Sequence, residues 1–510
     1  MVSHLTNHIR CFKSLARIGS LLLALQLAIS PVCLSQSPEP PGTVPIRIGL
    51  FFDMTGRTAS FGVASVNGIR MATDEINQSG GVLGRPIELI VLDDEGFPAD
   101  ASRVVRKLIN EYQVVALLGE VASTNSLAAA PHAQSAKIPM ITPSSTNPKV
   151  TMVGDYIFRT CFIDPFQGTA MAQFARNTLR AKTAAILGDV NSDYSNGLAH
   201  NFEAEFKRRG GRIISSGFYT QDDLDFKVQL RKIRAARPDV IYLPGYYSEA
   251  GSIIKQAREL GMRQPVLGGD GWDSPQLFGM AGDALNNTYI SNHYATDDPD
   301  PRVKKFAADY RARFKEEPEA LSALAYDSMK VLADAIRRAG STDGPKLRDA
   351  LARTKDFPGV TGNITIDADR NAVKPALILQ IKNGGFVYKE KVFPPAPRNS
   401  GTEDSNDIVR SDRNGDANIT QEDISKLPVG YRRPALSLRQ ALKIAEGYAR
   451  KQKLALSTFY LDEARIILYG SEQAEKERRW YLHWTSDAPL GGSIEMTVSM
   501  DGKVAATPSM

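Results

Sequence analysis

The residues able to do chemistry follow short apolar runs. "IRIGLFF" (46–52) leads into "DMTGRTASFG", which carries Phe61. "VVALLGE" leads into "VASTNS" with Ser123 and Thr124, and "PMITP" into "SSTNP" with Ser144 and Thr146. "YIFRTCFI" leads into "DPFQG" with Asp164, "VIYLPG" into "YYSEAG" with Tyr246, and "PVLGG" into "DGWDSP" with Asp270 and Trp272. Short hydroxyls and the free amides of a helix start hold a carboxylate, because the helix dipole favours an anion there. Asp164 and Asp270 offer charged acceptors to an ammonium, each bond contributing about 1.5–3 kcal/mol. Phe61, Tyr246, Trp272 and Tyr326 supply aromatic walls for a pocket. Gly268, Gly269 and Gly271 allow backbone to approach a ligand closely. Together these groups suit a small zwitterion.

Short Val/Ile/Leu runs alternate with amphipathic helical stretches from residue 46 to about 293, among them "ASVNGIRMATDEINQ", "ADASRVVRKLINEY", "LAHNFEAEFKRRG" and "EAGSIIKQAREL". Uninterrupted apolar strands with helices between them predict α/β lobes with parallel sheets covered on both faces. The units are too many for one lobe, so two doubly wound lobes joined by a hinge are expected. In such sheets ligands bind beyond the carboxyl ends of the strands, where the residues above stand.

Blander readings exist for each residue. Ser123 and Ser144 suit helix caps, Phe61 and Tyr246 suit a core, and Asp164 before Pro165 suits a helix start. "DGWDSP" reads as a tight turn followed by a cap at Asp273 or Ser274. Their joint placement at strand ends favours binding. An enzyme on the same kind of sheet is the rival class, but there is no GxGxxG after a strand, no P-loop, no nucleophile elbow and no His/Asp/Ser arrangement.

The ordered set "FDMTGRTASFG", "GEVASTNSLAAAP", "IPMITPSSTNP", "FRTCFIDPFQG", "YLPGY" and "LGGDGWDSPQL" resembles the leucine/isoleucine/valine-type amino-acid binding proteins of ABC transporters, the type I periplasmic binding fold, over roughly 45–395. The resemblance implies that Ser123 and Thr146 hold an α-carboxylate with backbone help from Ser144, and that Asp164 and Asp270 hold an α-ammonium. Asp270 stands where the family prototype has glutamate, and Phe61 where tyrosine is common. The first-lobe disulfide frequent in the family cannot form here. The implied function is capture of a small amino acid, branched-chain or related, and delivery to a membrane ABC permease by a monomer that needs no cofactor. The alternative is a sensor passing ligand occupancy to a signalling partner. The expected organisation is lobe 1 at about 45–163 and 294–372, and lobe 2 at about 164–293 and 373–395.

Composition agrees with a globular chain of more than one domain: 510 residues, 42% hydrophobic and 23% charged. Arg10, Lys13 and Arg17 precede the apolar run "IGSLLLALQLAIS" and the small residues of "PVCLSQS", the pattern of a cleaved secretory signal over 1–35. Lipid anchoring at Cys33 is the lesser reading, because "SPVC" lacks the usual leucine and small residue. The expected location is the periplasm. Removal of the three signal cations leaves 59 basic against 57 acidic residues, a net +2 that gives no reason to invoke nucleic acid. Cys161 is then the lone cysteine and reads as a small buried hydrophobe.

Beyond the lobes, "VFPPAPRNSGTEDSND" opens a linker over 396–434. Within it "DRNGDANITQED" (412–423) sets Asp412, Asn414, Asp416, Asn418, Thr420 and Asp423 at EF-hand positions 1, 3, 5, 7, 9 and 12. The aspartate at 12 resembles dockerin-type loops, and Ala417 stands where glycine usually permits the turn. The reading favours Ca²⁺ over a solvated acidic turn. "DADRN" (367–371) resembles a second such loop but reads as a hairpin turn. Residues 435–510 read as a small α+β module, a Ser437-capped helix followed by strands "STFYLDEARIILYG", "RRWYLHWTS" and "GSIEMTVSMDGKVAAT", resembling PepSY-like or cystatin-like modules. Two outcomes are expected. Mass spectrometry of the exported protein finds an N-terminus near Ser35–Gln36; a diacylglyceryl group on Cys33 would refute cleavage there. Calorimetry of the full chain gives a Ca²⁺ binding heat that is lost when Asp412 and Asp416 become alanine, and no heat with the wild type ends the calcium reading.

Overall fold

The computed structural model describes residues 44–394, two helical residues at 444–445, and four strands between 460 and 508. The calcium-type loop 412–423 lies outside the described residues. The chain divides into two compact units, residues 1–397 and 398–510.

The first unit holds two sheets. Strands β1 (Ile46–Phe52), β2 (Ile87–Asp93), β3 (Ala116–Leu118), β4 (Met140–Thr142) and β5 (Ile157–Arg159) form a parallel sheet in the order β2-β1-β3-β4-β5. Strands β6 (Thr183–Asp189), β7 (Arg212–Tyr219), β8 (Val240–Tyr242), β9 (Val266–Gly268) and β10 (Thr288–Asn292) are the parallel part of the second sheet. After a small antiparallel sheet of β11 (Phe357–Gly359), β12 (Gly362–Ile366) and β13 (Ala372–Val373), strands β14 (Ala376–Lys382) and β15 (Gly385–Val392) complete the second sheet as β15-β14-β10-β9-β8-β6-β7. This is the α/β type I periplasmic binding fold.

The apolar runs form buried strands for a plain reason. In β1 every residue but Arg47 is buried, so both faces are covered by helices and the two-residue alternation of a half-exposed strand is absent. The helices Ala59–Gln78 and Ala320–Ala339 cover the first sheet and cross closely: a Cβ at Gly68 would lie 2.0 Å from the Ser322 carbonyl oxygen. The chain passes between the sheets three times, after β5, after β10 and between β13 and β14. "DADRN" is a turn between β12 and β13, where the Asp367 carboxylate accepts the amides of Asp369 and Asn371 at 2.9 Å each. Among the described residues no helix is long and apolar enough to cross a membrane.

The second unit shows a four-stranded antiparallel meander: β16 (Tyr460–Tyr469), β17 (Glu477–Thr485), β18 (Ser493–Ser499) and β19 (Val504–Pro508). The third expected strand segment is therefore two strands.

Candidate functional site

The carboxyl ends of β1, β3 and β4 face those of β6, β8 and β9 across a cleft. A small pocket of about 230 Å³ lies there, lined by Phe61, Val121, Ser144, Tyr194, Tyr246, Asp270, Gly271 and Leu321. Four of the eight expected binding residues form its wall: Phe61, Ser144, Tyr246 and Asp270. An outer cleft of about 890 Å³ opens beyond Tyr246, edged by Arg57, Asn125, Asn191, Gln221 and Glu249.

Asp270 opens a 3₁₀ turn, Asp270–Trp272, immediately after β9 and Gly269. It is 4% exposed. Its Oδ1 accepts Gln167 Nε2 at 2.7 Å and the Tyr194 hydroxyl at 2.8 Å, and its Oδ2 lies 3.0 Å from His293 Nε2. The Tyr194 hydroxyl in turn accepts the Gly271 amide at 3.0 Å, and its ring stacks on Tyr246 at 5.1 Å between centroids. Phe61 meets Tyr246 edge to face at 6.0 Å, closing the aromatic wall from the other lobe. Ser144 Oγ, on the first-lobe wall, is buried with no hydrogen-bond partner among the described residues.

The other four expected residues stand behind this wall. Ser123 begins the helix Ser123–Ala136, which has no side-chain cap, and its Oγ instead accepts the Asn147 amide at 3.2 Å, tying two site loops together. Thr146 Oγ1 is buried beside Asp164 and makes no hydrogen bond of ordinary geometry among the described residues. Asp164 starts the helix Asp164–Asn177, as its place before Pro165 suggests. It is fully buried, both carboxylate oxygens lack partners among the described residues, and Oδ2 lies 2.3 Å from where a Cβ at Gly197 would stand. Burial pushes its pKa up to about 8, against the pull of the Thr146 hydroxyl and the Arg159 guanidinium. Asp164 and Asp270 thus differ sharply in environment.

Trp272 does not wall the cavity. The 3₁₀ turn swings its fully buried ring back beneath Gly268, whose missing Cβ would sit 2.3 Å from the indole. The neighbouring glycines likewise admit protein groups: a Cβ at Gly269 would meet the Tyr194 hydroxyl at 2.4 Å, and one at Gly271 the Gly245 carbonyl at 2.6 Å. Tyr326 lies elsewhere, its hydroxyl donating to Glu75 at 2.7 Å. Ser274 caps the helix Pro275–Ala281 through the Gln276 amide. Asp273 reaches across to the other lobe and accepts the amide of Ala320, first residue of the helix Ala320–Ala339, at 2.8 Å.

Other bonds close the lobes. Ser60 Oγ and Ser274 Oγ are 2.9 Å apart, and the Tyr247 hydroxyl donates to the Arg57 carbonyl at 3.1 Å. Asp193 receives Lys149 at 3.1 Å, while its carbonyl accepts Asn147 Nδ2 at 2.7 Å. Cys161 is free and buried, and burial raises its thiol to about 12, an unreactive state.

Gln167, Tyr194 and His293 are site residues the strand-end reading missed. Tyr194 was accessible to it: "VNSDYSNG" follows the strand "TAAILGD" as the other loops follow theirs. Gln167 lies within a helix and His293 follows "TYISN", a strand with no distinctive pattern, so neither carries a local signal.

A family model described as periplasmic binding protein matches residues 45–385. The Leu/Ile/Val-binding protein BraC3 of Rhizobium johnstonii is 31% identical over 323 residues, 63% of this chain and 87% of the relative. Among solved structures, the leucine-binding protein LivK of Thermotoga maritima matches with TM-score 0.66 and 40% identity, over 68% of this chain and 99% of that one. LivJ of Streptococcus pneumoniae, a branched-chain amino-acid transporter substrate-binding protein in complex with isoleucine, matches with TM-score 0.66 and 36% identity, over 69% and 100%.

The raised Asp164 predicts a pH effect. The folded state holds this proton more tightly than the unfolded chain, so the stability it contributes is full below the ordinary carboxylate value of 3.8 and is lost as pH rises through about 8. Urea unfolding of the wild type is expected to lose more stability between pH 5 and 8.5 than unfolding of Asp164→Asn. Equal losses would assign the dependence to other buried acids, such as Asp94, raised to about 7, and Asp273, raised to about 6, both by burial.

Proposed function

The chain belongs to the periplasmic binding protein family, and we propose that it captures a small amino acid, branched-chain or related, between its lobes for delivery to a membrane ABC permease. Its relatives are solute-binding proteins, and it is a solute-binding protein rather than an enzyme.

One observation carries the reading of the ligand. The cavity of about 230 Å³ has a buried carboxylate on one lobe, a buried hydroxyl with no partner on the other, and otherwise mainly aromatic and aliphatic walls. In this reading Asp270 accepts the α-ammonium, with Asp164 behind it as a second acidic group. Ser144, Thr146, Ser123 and the uncapped start of the helix Ser123–Ala136 supply donors for the α-carboxylate. The side chain then lies among Phe61, Val121, Tyr246 and Leu321, with Trp272 supporting the floor from behind. The names of the relatives, leucine- and isoleucine-binding proteins among them, favour an aliphatic side chain.

The proposed protein is exported to the periplasm, acts as a monomer and needs no cofactor for binding. The lobes of the proposal run over about 45–163 with 294–372 and 164–293 with 373–395. The Ca²⁺ loop at 412–423 and the module at 435–510 are proposed as an appended tether.

A thermal-shift screen of residues 36–510 against the free amino acids tests the reading. A ligand at 100 times its Kd adds about 2.7 kcal/mol. Leucine, isoleucine or valine is expected to raise the Tm, and Asp270→Ala to abolish the rise. No shift with any amino acid would mean that the cleft serves a different solute.

A further inference from the structure

His293 contacts Asp270 from the segment that leaves β10 for the other lobe. The side chain is fully buried. Its ring stacks on Phe162, which follows β5 in another crossing segment, with centroids 3.6 Å apart and planes 20° from parallel. Its backbone amide is fixed by Asn292 Oδ1 at 2.8 Å. Nε2 stands 3.0 Å from Asp270 Oδ2, and Nδ1 has no partner among the described residues. An ionised carboxylate only accepts hydrogen bonds, so this contact requires the proton on Nε2. Burial lowers the imidazole pKa to about 4, which keeps the ring neutral over ordinary pH.

The lone pairs of Asp270 can be assigned. Among the described residues Oδ1 already takes two donors, Gln167 and Tyr194, whereas Oδ2 takes only His293. A carboxylate oxygen has two lone-pair positions, so one on Oδ2 is left. We infer that His293 is a positioning residue: through its Nε2–H it fixes the rotation of the Asp270 carboxylate, so that the open lone pair of Oδ2 receives the ligand's ammonium. The inference rests on the α-ammonium reading of Asp270. The charged and titratable groups around the pair are Tyr194, Tyr242 and Tyr246 of the second lobe, Asp164 at the start of its helix, Asp273, and Cys161 and Lys374 of the crossing segments.

The test measures Kd for L-leucine, L-isoleucine and L-valine by calorimetry between pH 5.5 and 8.5, using residues 36–510 of the wild type, His293→Leu, His293→Gln and Asp270→Asn. Loss of the donor frees the Asp270 carboxylate to rotate away from the ligand. His293→Leu is therefore expected to weaken binding about tenfold, and His293→Gln, which keeps an N–H donor, to restore most of the loss. A His293→Leu Kd equal to that of the wild type, or a His293→Gln Kd no better than that of His293→Leu, overturns the positioning role while leaving Asp270 in place, provided Asp270→Asn still loses binding. If Asp270→Asn binds as tightly as the wild type, or none of the three amino acids binds the wild type, the α-ammonium reading falls and takes this inference with it. Nitrogen-15 NMR of the wild-type imidazole gives an answer even if His293→Leu does not fold: an Nε2–H tautomer unchanged from pH 5.5 to 8 supports the role, and an Nδ1–H or charged ring overturns it.

Discussion

Asp270 brings a carboxylate into a place where water hardly reaches, and much of the surrounding geometry answers to that. An unsatisfied buried acid costs several kcal/mol, so donors must come to it, and they come from three separate elements. Gln167 arrives from the helix Asp164–Asn177, Tyr194 from the helix Asp193–Arg208, and His293 from the end of β10. Gly269 has no side chain where the Tyr194 hydroxyl must stand, and Gly268 none where the Trp272 ring must fold away. Four strand ends and helix starts of the second lobe are thereby held in register by one side chain.

Asp164 is the counterexample in the same lobe. It has the same chemical group and similar burial, but neither oxygen has a hydrogen-bond partner among the described residues, and burial pushes its pKa up to about 8. The contrast separates the two acids by environment: one has donors brought to it from three elements, and the other lies unsolvated and resists ionising.

The apolar runs of the first unit were legible because a strand buried on both faces needs no other code, and the site was legible where residues follow such a run directly: Phe61, Ser144, Tyr246 and Asp270. It was less legible where a side chain's direction depends on one turn. Trp272 points into the core because residues 270–272 wind into a 3₁₀ turn, which a string of Gly, Asp and Trp does not announce. Nor could His293 be found locally, since it matters through a residue 23 positions earlier. The third strand segment of the tail carries "SMDGK", a step whose residues read as a strong hairpin turn, and two strands stand on either side of it.

The three passages of the chain between the lobes have a mechanical consequence. Three covalent crossings side by side let two bodies open like a book, but they oppose sliding and twisting. The lobes thus have essentially one coordinate, and bonds at the far edge, from Ser60 to Ser274 and from Asp273 to Ala320, mark one end of it. Anything that docks across both lobes reads a position along that coordinate and need not touch the solute. Recognition by such a partner is blind to the chemistry inside, which frees the interior to change its cargo while the outside keeps its fit.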